Sequence, residues 1–132
     1  MALPSVGGGY QIGDGNVNEI QMFALSPSSA TATATLTAAQ FTSGLIVGGN
    51  GTTAASYTIP TVAAVEAVVG NAKVDSVFET IILNTGTGAG AVTIVTNTGW
   101  TTVGSLAVAV NSAVKFISRK TGDGSWTLYR AA

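Results

Sequence analysis

Val77-Phe78-Glu79-Thr80-Ile81-Ile82-Leu83-Asn84 reads as a β-strand, and the glycine-dense link Thr85-Gly86-Thr87-Gly88-Ala89-Gly90 hands the chain to a second one, Ala91 to Thr96. From Val77 onward the pattern is all β. Leu106 to Val110, Val114 to Lys120 and Trp126 to Arg130 supply further short strands, with Asn97-Thr98-Gly99 and Gly122-Asp123-Gly124 as turns between them. The two glycine-dense links are of hairpin type. Many short strands with turns at short intervals predict an all-β fold, an antiparallel β-sandwich or barrel of jelly-roll-like kind. No period of 20 to 50 residues is visible, which disfavours a solenoid or propeller.

Upstream, Ala30-Thr31-Ala32-Thr33-Ala34-Thr35-Leu36-Thr37 alternates with period two and predicts a strand with a Thr face and a small-residue face. Leu45 to Val47 and Tyr57 to Ile59 predict short extended segments on either side of Gly48-Gly49-Asn50-Gly51. After Pro60, Thr61 stands as N-cap before Val62, Val65 and Val69, and Gly70 is placed to end the helix. One short helix is expected, packing its valine stripe on a sheet. Ile20 to Leu25 is an apolar run suited to a strand buried on both faces. Residues 1–19 read as an extended N-terminal arm, in which Pro4 and the glycines prevent regular structure while Leu3, Val6, Tyr10 and Ile12 are apolar anchors for a partner. Residues 20–132 then form a single β domain, as the length of 132 residues allows.

Composition narrows the function. Charged residues make up 8% of the chain, against roughly 25% in ordinary soluble domains, and mean hydropathy is +0.46. No charge occurs between Ile20 and Val65 or between Thr80 and Val114. A net charge of -1 gathers neither phosphates nor anionic lipid, so nucleic acid is not expected as a partner. So few charges point instead to a surface normally covered by copies of the chain or by another protein. With neither Cys nor His, the chain lacks thiolate, imidazole base and the usual zinc ligands. No cofactor or metal is expected, and the protein is not expected to be an enzyme. Every apolar stretch is interrupted before the roughly 18 to 20 residues of a membrane helix, so no membrane partner is expected. The N-terminus lacks a basic n-region and an apolar h-region, which gives no sign of export by a signal peptide.

Four features offer chemistry and each has a plainer reading. Thr85 to Gly90 resembles a phosphate-cradling loop, but a β-branched strand follows it where a helix is needed. Asp14-Gly15-Asn16-Val17-Asn18-Glu19 begins like a calcium loop and then places Glu19 where the sharp turn wants Gly. Asp75 and Glu79, beside Lys73, form the one close carboxylate pair and read as charges that keep an edge strand soluble. Lys115, Arg119, Lys120 and Arg130, with Trp126 and Tyr129, gather four of the five bases near the C-terminus, either as a small patch for an acidic protein surface or as a solvated strand face.

From Tyr57 onward the order of features is distinctive. Thr58-Ile59-Pro60-Thr61 leads into an Ala/Val helix, then Gly70-Asn71-Ala72-Lys73-Val74-Asp75-Ser76-Val77-Phe78-Glu79, Ile82-Leu83-Asn84-Thr85, Val92-Thr93-Ile94, Thr98-Gly99-Trp100, Val103-Gly104 and a terminal Trp126-Thr127-Leu128-Tyr129-Arg130. This order resembles a β-rich module of tailed-bacteriophage structural proteins, including those of marine and cyanobacterial phages, found in capsid decoration (cement) and fibre-like proteins. The resemblance covers about the last 75 residues and implies no active-site residue. It implies a virion protein on the capsid surface, assembled in the host cytoplasm. That protein would bind the major capsid protein non-covalently through the arm and one sheet face, as a homotrimer. The alternative it implies is a tail or surface fibre module that binds a host receptor or glycan, for which Trp126 and Tyr129 are the available aromatics.

Overall fold

The computed structural model describes residues 28–132. They form two sheets, one of six strands and one of four. In chain order the strands are β1 (Ser28–Ala30), β2 (Ala34–Thr35), β3 (Leu45–Gly48), β4 (Ala55–Thr58), β5 (Val77–Asn84), β6 (Val92–Val95), β7 (Trp100–Val103), β8 (Ala107–Val108), β9 (Ser112–Gly122) and β10 (Ser125–Arg130). Helix α1 (Ala38–Thr42) lies between β2 and β3, and α2 (Val62–Val68) between β4 and β5. The six-stranded sheet runs β1-β3-β5-β9-β10-β7 and the four-stranded sheet β2-β4-β6-β8.

The all-β fold predicted by the sequence is present, as the sandwich of the two alternatives and not the barrel, and the pairing within it is mixed. From β1 to β8 the chain changes sheet at every strand, so β1, β3 and β5 lie side by side and parallel, as do β2, β4 and β6. The antiparallel arrangement expected throughout holds only for β5 with β9, β9 with β10, and β6 with β8. The cause is geometric. A chain that leaves one sheet and returns to it by way of the other comes back running in its original direction, as in any crossover connection. Three such passes form a short coil, which no sequence period announces because the passes differ in length. The link Thr85 to Gly90 is accordingly a corner between sheets and not a hairpin, whereas Gly122-Asp123-Gly124 does turn β9 back onto β10.

Three local expectations are corrected. The alternating Ala30–Thr37 run is not one strand: β1 ends at Ala30, and only Ala34 and Thr35 pair again, in the other sheet. It offers no large apolar side chain before Leu36, and the crossing between sheets falls inside it. A second helix, α1, follows directly, opened by a capping box in which the Thr37 hydroxyl accepts from the Gln40 amide N–H and the Gln40 side chain accepts from the Thr37 N–H. Trp100–Val103 is a strand that the turn reading of this region passed over, and the predicted Leu106–Val110 strand shortens to Ala107–Val108. Helix α2 starts as the sequence indicates, with Thr61 accepting from the Ala64 N–H at 3.2 Å and Val62 and Val65 buried.

Between the sheets the core is continuous, built from Phe41, Ile46, Tyr57, Ile82, Ile94, Phe116, Trp126 and Leu128 among others. At one end Phe41, Phe78, Trp100 and Trp126 meet edge-on or tilted, with ring centroids 5.6 to 6.1 Å apart. At the other end backbone packs on backbone: a Cβ at Gly90 would collide with the Gly51 carbonyl, so only glycine permits the approach of these two corners. Asn84 closes that end by donating to the carbonyls of Gly90, Val108 and Ala109 and accepting from the Gly86 N–H.

Candidate interaction face

The two central strands of the six-stranded sheet, β5 and β9, determine its character. Alternation buries Thr80, Ile82 and Asn84 of β5 and Val114, Phe116 and Ser118 of β9. Val77, Glu79, Ile81 and Leu83 are therefore turned outward, paired across the ladder with Arg119, Ile117, Lys115 and Ala113. Strand β3 adds Leu45 and Val47 in register with Ile81 and Leu83, and β10 adds Tyr129 in register with Ile117, with Val103 of β7 beyond it. Among the described residues the outcome is an uncovered, largely apolar face, interrupted by Thr127 and Thr101, on which Val77 is 58%, Val103 52% and Ile81 36% exposed.

The charges on this face are paired within it. Glu79 meets Lys115 at 3.7 Å, and Asp75, just before β5, meets Arg119 at 3.4 Å. Arg119 also lies over the Tyr129 ring, 5.9 Å from its centroid. The two acids therefore line the β5 side of the central seam and the two bases the β9 side. Exposed pairs of this kind contribute little to stability, on the order of 0 to 1 kcal/mol. Their consequence is that the face has no net charge.

The C-terminal basic cluster expected from the sequence is divided by the fold. Lys115 and Arg119 belong to the open face. Lys120 points the other way and is only 8% exposed. Its Nζ donates to the Ala72 carbonyl at 3.0 Å and pairs with Asp123 at 3.1 Å and Glu66 at 3.7 Å. Glu66 in turn accepts from the Gly124 N–H and from the Trp126 indole N–H at 3.1 Å, fastening α2 to the β9–β10 hairpin. Arg130 donates to the carbonyls of Ser105 and Ala107. Trp126 is fully buried in the aromatic cluster and offers nothing to a glycan.

Asp75 and Glu79 each face a base and so do not make an acid–base dyad. In the Thr85–Gly90 corner the N–H groups of Thr85, Gly86, Thr87 and Gly90 are used internally, the Thr87 N–H donating to the Gly51 carbonyl and the Gly90 N–H to that of Thr87. Among the described residues no group of three or more His, Cys, Asp or Glu could hold a metal ion, and no helix is long and apolar enough to cross a membrane. The arm anchors Leu3, Val6, Tyr10 and Ile12, the Asp14–Glu19 run and the strand expected at Ile20–Leu25 lie outside the described residues.

The four-stranded sheet presents a different exterior. Its strands all come from the two charge-free stretches of the sequence, and its outward positions are Thr35, Ser56, Thr58, Thr93, Val95 and Ala107. Compared with known proteins, the chain matches no family model, no curated protein and no solved structure.

Proposed function

We propose that the protein is a non-catalytic structural protein that works within an assembly, its six-stranded outer face covered by protein, and that the assembly is a phage capsid which it decorates and stabilises. The observation that carries this reading is the open face itself: apolar, neutral, and with its four charged groups already matched to one another. Removing such a face from water is favourable and does not require a charged partner. Lys115, Arg119, Lys120 and Arg130 all have partners within the chain, which supports a mechanical role over a catalytic one. The order of features from Tyr57 to Arg130 supplies the link to capsid decoration. A protein that binds only the assembled shell stabilises it by mass action, and an oligomer gains further from effective concentration. Leu3, Val6, Tyr10 and Ile12 are the anchors proposed to reach the major capsid protein.

The experiment is co-sedimentation of the full chain, and of a chain lacking residues 1–13, with purified undecorated heads at matched concentration and salt. Binding by the full chain and at least about tenfold weaker binding by the truncated one is expected, since each fully buried apolar side chain contributes about 1.5 to 3 kcal/mol. Absence of binding by the full chain would remove capsid decoration from consideration.

A further inference from the structure

We propose that the Asn50–Gly51 pair is a self-modifying site, at which the Asn50 side-chain amide is lost as ammonia and replaced by a carboxylate through a cyclic imide. The site lies at the glycine corner that closes one end of the sandwich.

Of the seven asparagines in the chain, Asn50 alone is followed by glycine. Glycine carries no side chain to hinder its main-chain nitrogen as that atom closes on the preceding side-chain carbon. Gly51 is exposed, with φ +60°, and takes the second position of a tight turn closed by the Thr53 N–H donating to the Asn50 carbonyl at 3.0 Å. Among the described residues its own N–H meets no acceptor, and the partly exposed Asn50 side chain makes no hydrogen bond. The other described asparagines lack this freedom. The N–H after Asn71 donates to the Val69 carbonyl, that after Asn84 to the Gly48 carbonyl, and that after Asn97 to the Asn97 side-chain oxygen. Asn111 is followed by Ser112, whose side chain crowds the nitrogen. Asp123–Gly124, which could close the same ring, is held shut because the Gly124 N–H donates to the Glu66 carboxylate at 3.0 Å.

The chemistry needs only water and hydroxide. The Gly51 nitrogen gives its proton to hydroxide and attacks Asn50 Cγ. A C–N bond forms there, the bond from Cγ to the side-chain nitrogen breaks, and ammonia leaves with a proton from water, which restores the hydroxide. Water then adds to one of the two imide carbonyl carbons. Opening at Cγ leaves aspartate, and opening at the main-chain carbonyl carbon leaves isoaspartate, whose main chain runs through Cβ and Cγ and is one carbon longer. The corner distinguishes the two products. The Gly49 N–H donates to the Tyr57 hydroxyl at 2.8 Å, and the Gly51 carbonyl accepts from the Thr87 N–H at 2.9 Å and lies too close to Gly90 for any side chain there. Both neighbours of residue 50 are thus fastened, so aspartate fits between them and a lengthened main chain does not. Either product puts a carboxylate at an end of the molecule whose corners, residues 48–54, 85–91 and 109–112, hold no charge, and takes the net charge from -1 to -2.

The test incubates the full chain at neutral and at mildly alkaline pH and follows it by isoelectric focusing and by mass spectrometry of the chymotryptic peptide Ile46–Tyr57, in which Asn50 is the sole asparagine. The expected result is one added negative charge and the mass change from amide to acid within that peptide, at a rate that rises in proportion to hydroxide. An isoaspartyl methyltransferase should label part of the product, and the labelled fraction should unfold at lower denaturant concentration than the Asn50→Asp variant. Asn50→Gln would have to close a six-membered ring, and Gly51→Ala places a methyl group in open space but beside the nitrogen. Each should keep the far-UV circular dichroism spectrum of wild type and convert at least about tenfold more slowly at this position. A native chain that keeps its amide while the urea-unfolded chain loses it, conversion at Asn71, Asn84, Asn97 or Asn111 ahead of Asn50, or a Gly51→Ala variant that converts as fast as wild type would each overturn the inference.

Discussion

The two outer faces of the molecule come from the same scarcity of charge and end with opposite properties. On the four-stranded sheet four of the six outward positions, Thr35, Ser56, Thr58 and Thr93, carry hydroxyls that keep water bound without any charge, beside Val95 and Ala107. On the six-stranded sheet Val77, Ile81, Leu83, Ile117 and Val103 replace them, interrupted by two ion pairs along one seam. Low charge on its own therefore does not mark a surface as adhesive. Exposed apolar area does, and the few charges present then determine the geometry of what can lie on it.

The contrast depends on the two sheets being held back to back, and the largest expected effect comes from breaking that support. Trp126→Ala removes the buried indole that joins Phe78 and Trp100 and leaves Glu66 without its indole donor. It should cost about 3 to 5 kcal/mol in chemical denaturation, as large-to-small changes of aromatic core residues do. Next comes the opposite end of the core. Asn84→Ala orphans the Gly86 N–H and three carbonyls at the glycine corner and should cost about 2 to 3 kcal/mol by the same measurement. Smaller again is the tie between α2 and the hairpin. Glu66→Ala should cost about 2 kcal/mol, whereas Glu66→Gln, which keeps acceptors for Gly124 and Trp126, should cost about 1 kcal/mol or less. At the low end, Thr93→Glu on the four-stranded exterior should change stability by no more than about 0.5 kcal/mol.

Much of this architecture was legible in the residues because single elements carry their own signals. Thr61 and the valines at 62, 65 and 69 specify α2, and the long runs Val77–Asn84 and Val114–Lys120 specify the two strands on which the open face is built. Helix α1 had a signal too, the Thr37-x-x-Gln40 capping box, hidden because Thr37 also ends the Ala/Thr alternation. The change of sheet at every strand had none, since parallel and antiparallel neighbours demand the same alternating side chains and differ only in where the connection goes. The same limit applied to the candidate face. Alternation groups Lys115, Ile117 and Arg119 and already sets Lys120 on the opposite side, but pairing Glu79 with Lys115 requires the register between β5 and β9.

The measurement that tests the account most directly compares one charged substitution on each face. Ile81→Glu and Thr93→Glu introduce the same side chain at exposed positions of mid-sheet strands, in β5 and β6. Co-sedimentation of both with undecorated heads, beside wild type, should give binding for wild type and for Thr93→Glu and at least about tenfold weaker binding for Ile81→Glu. Binding that survives Ile81→Glu and is lost on Thr93→Glu would contradict the account, because the contact would then belong to the hydroxyl face and not to the apolar one.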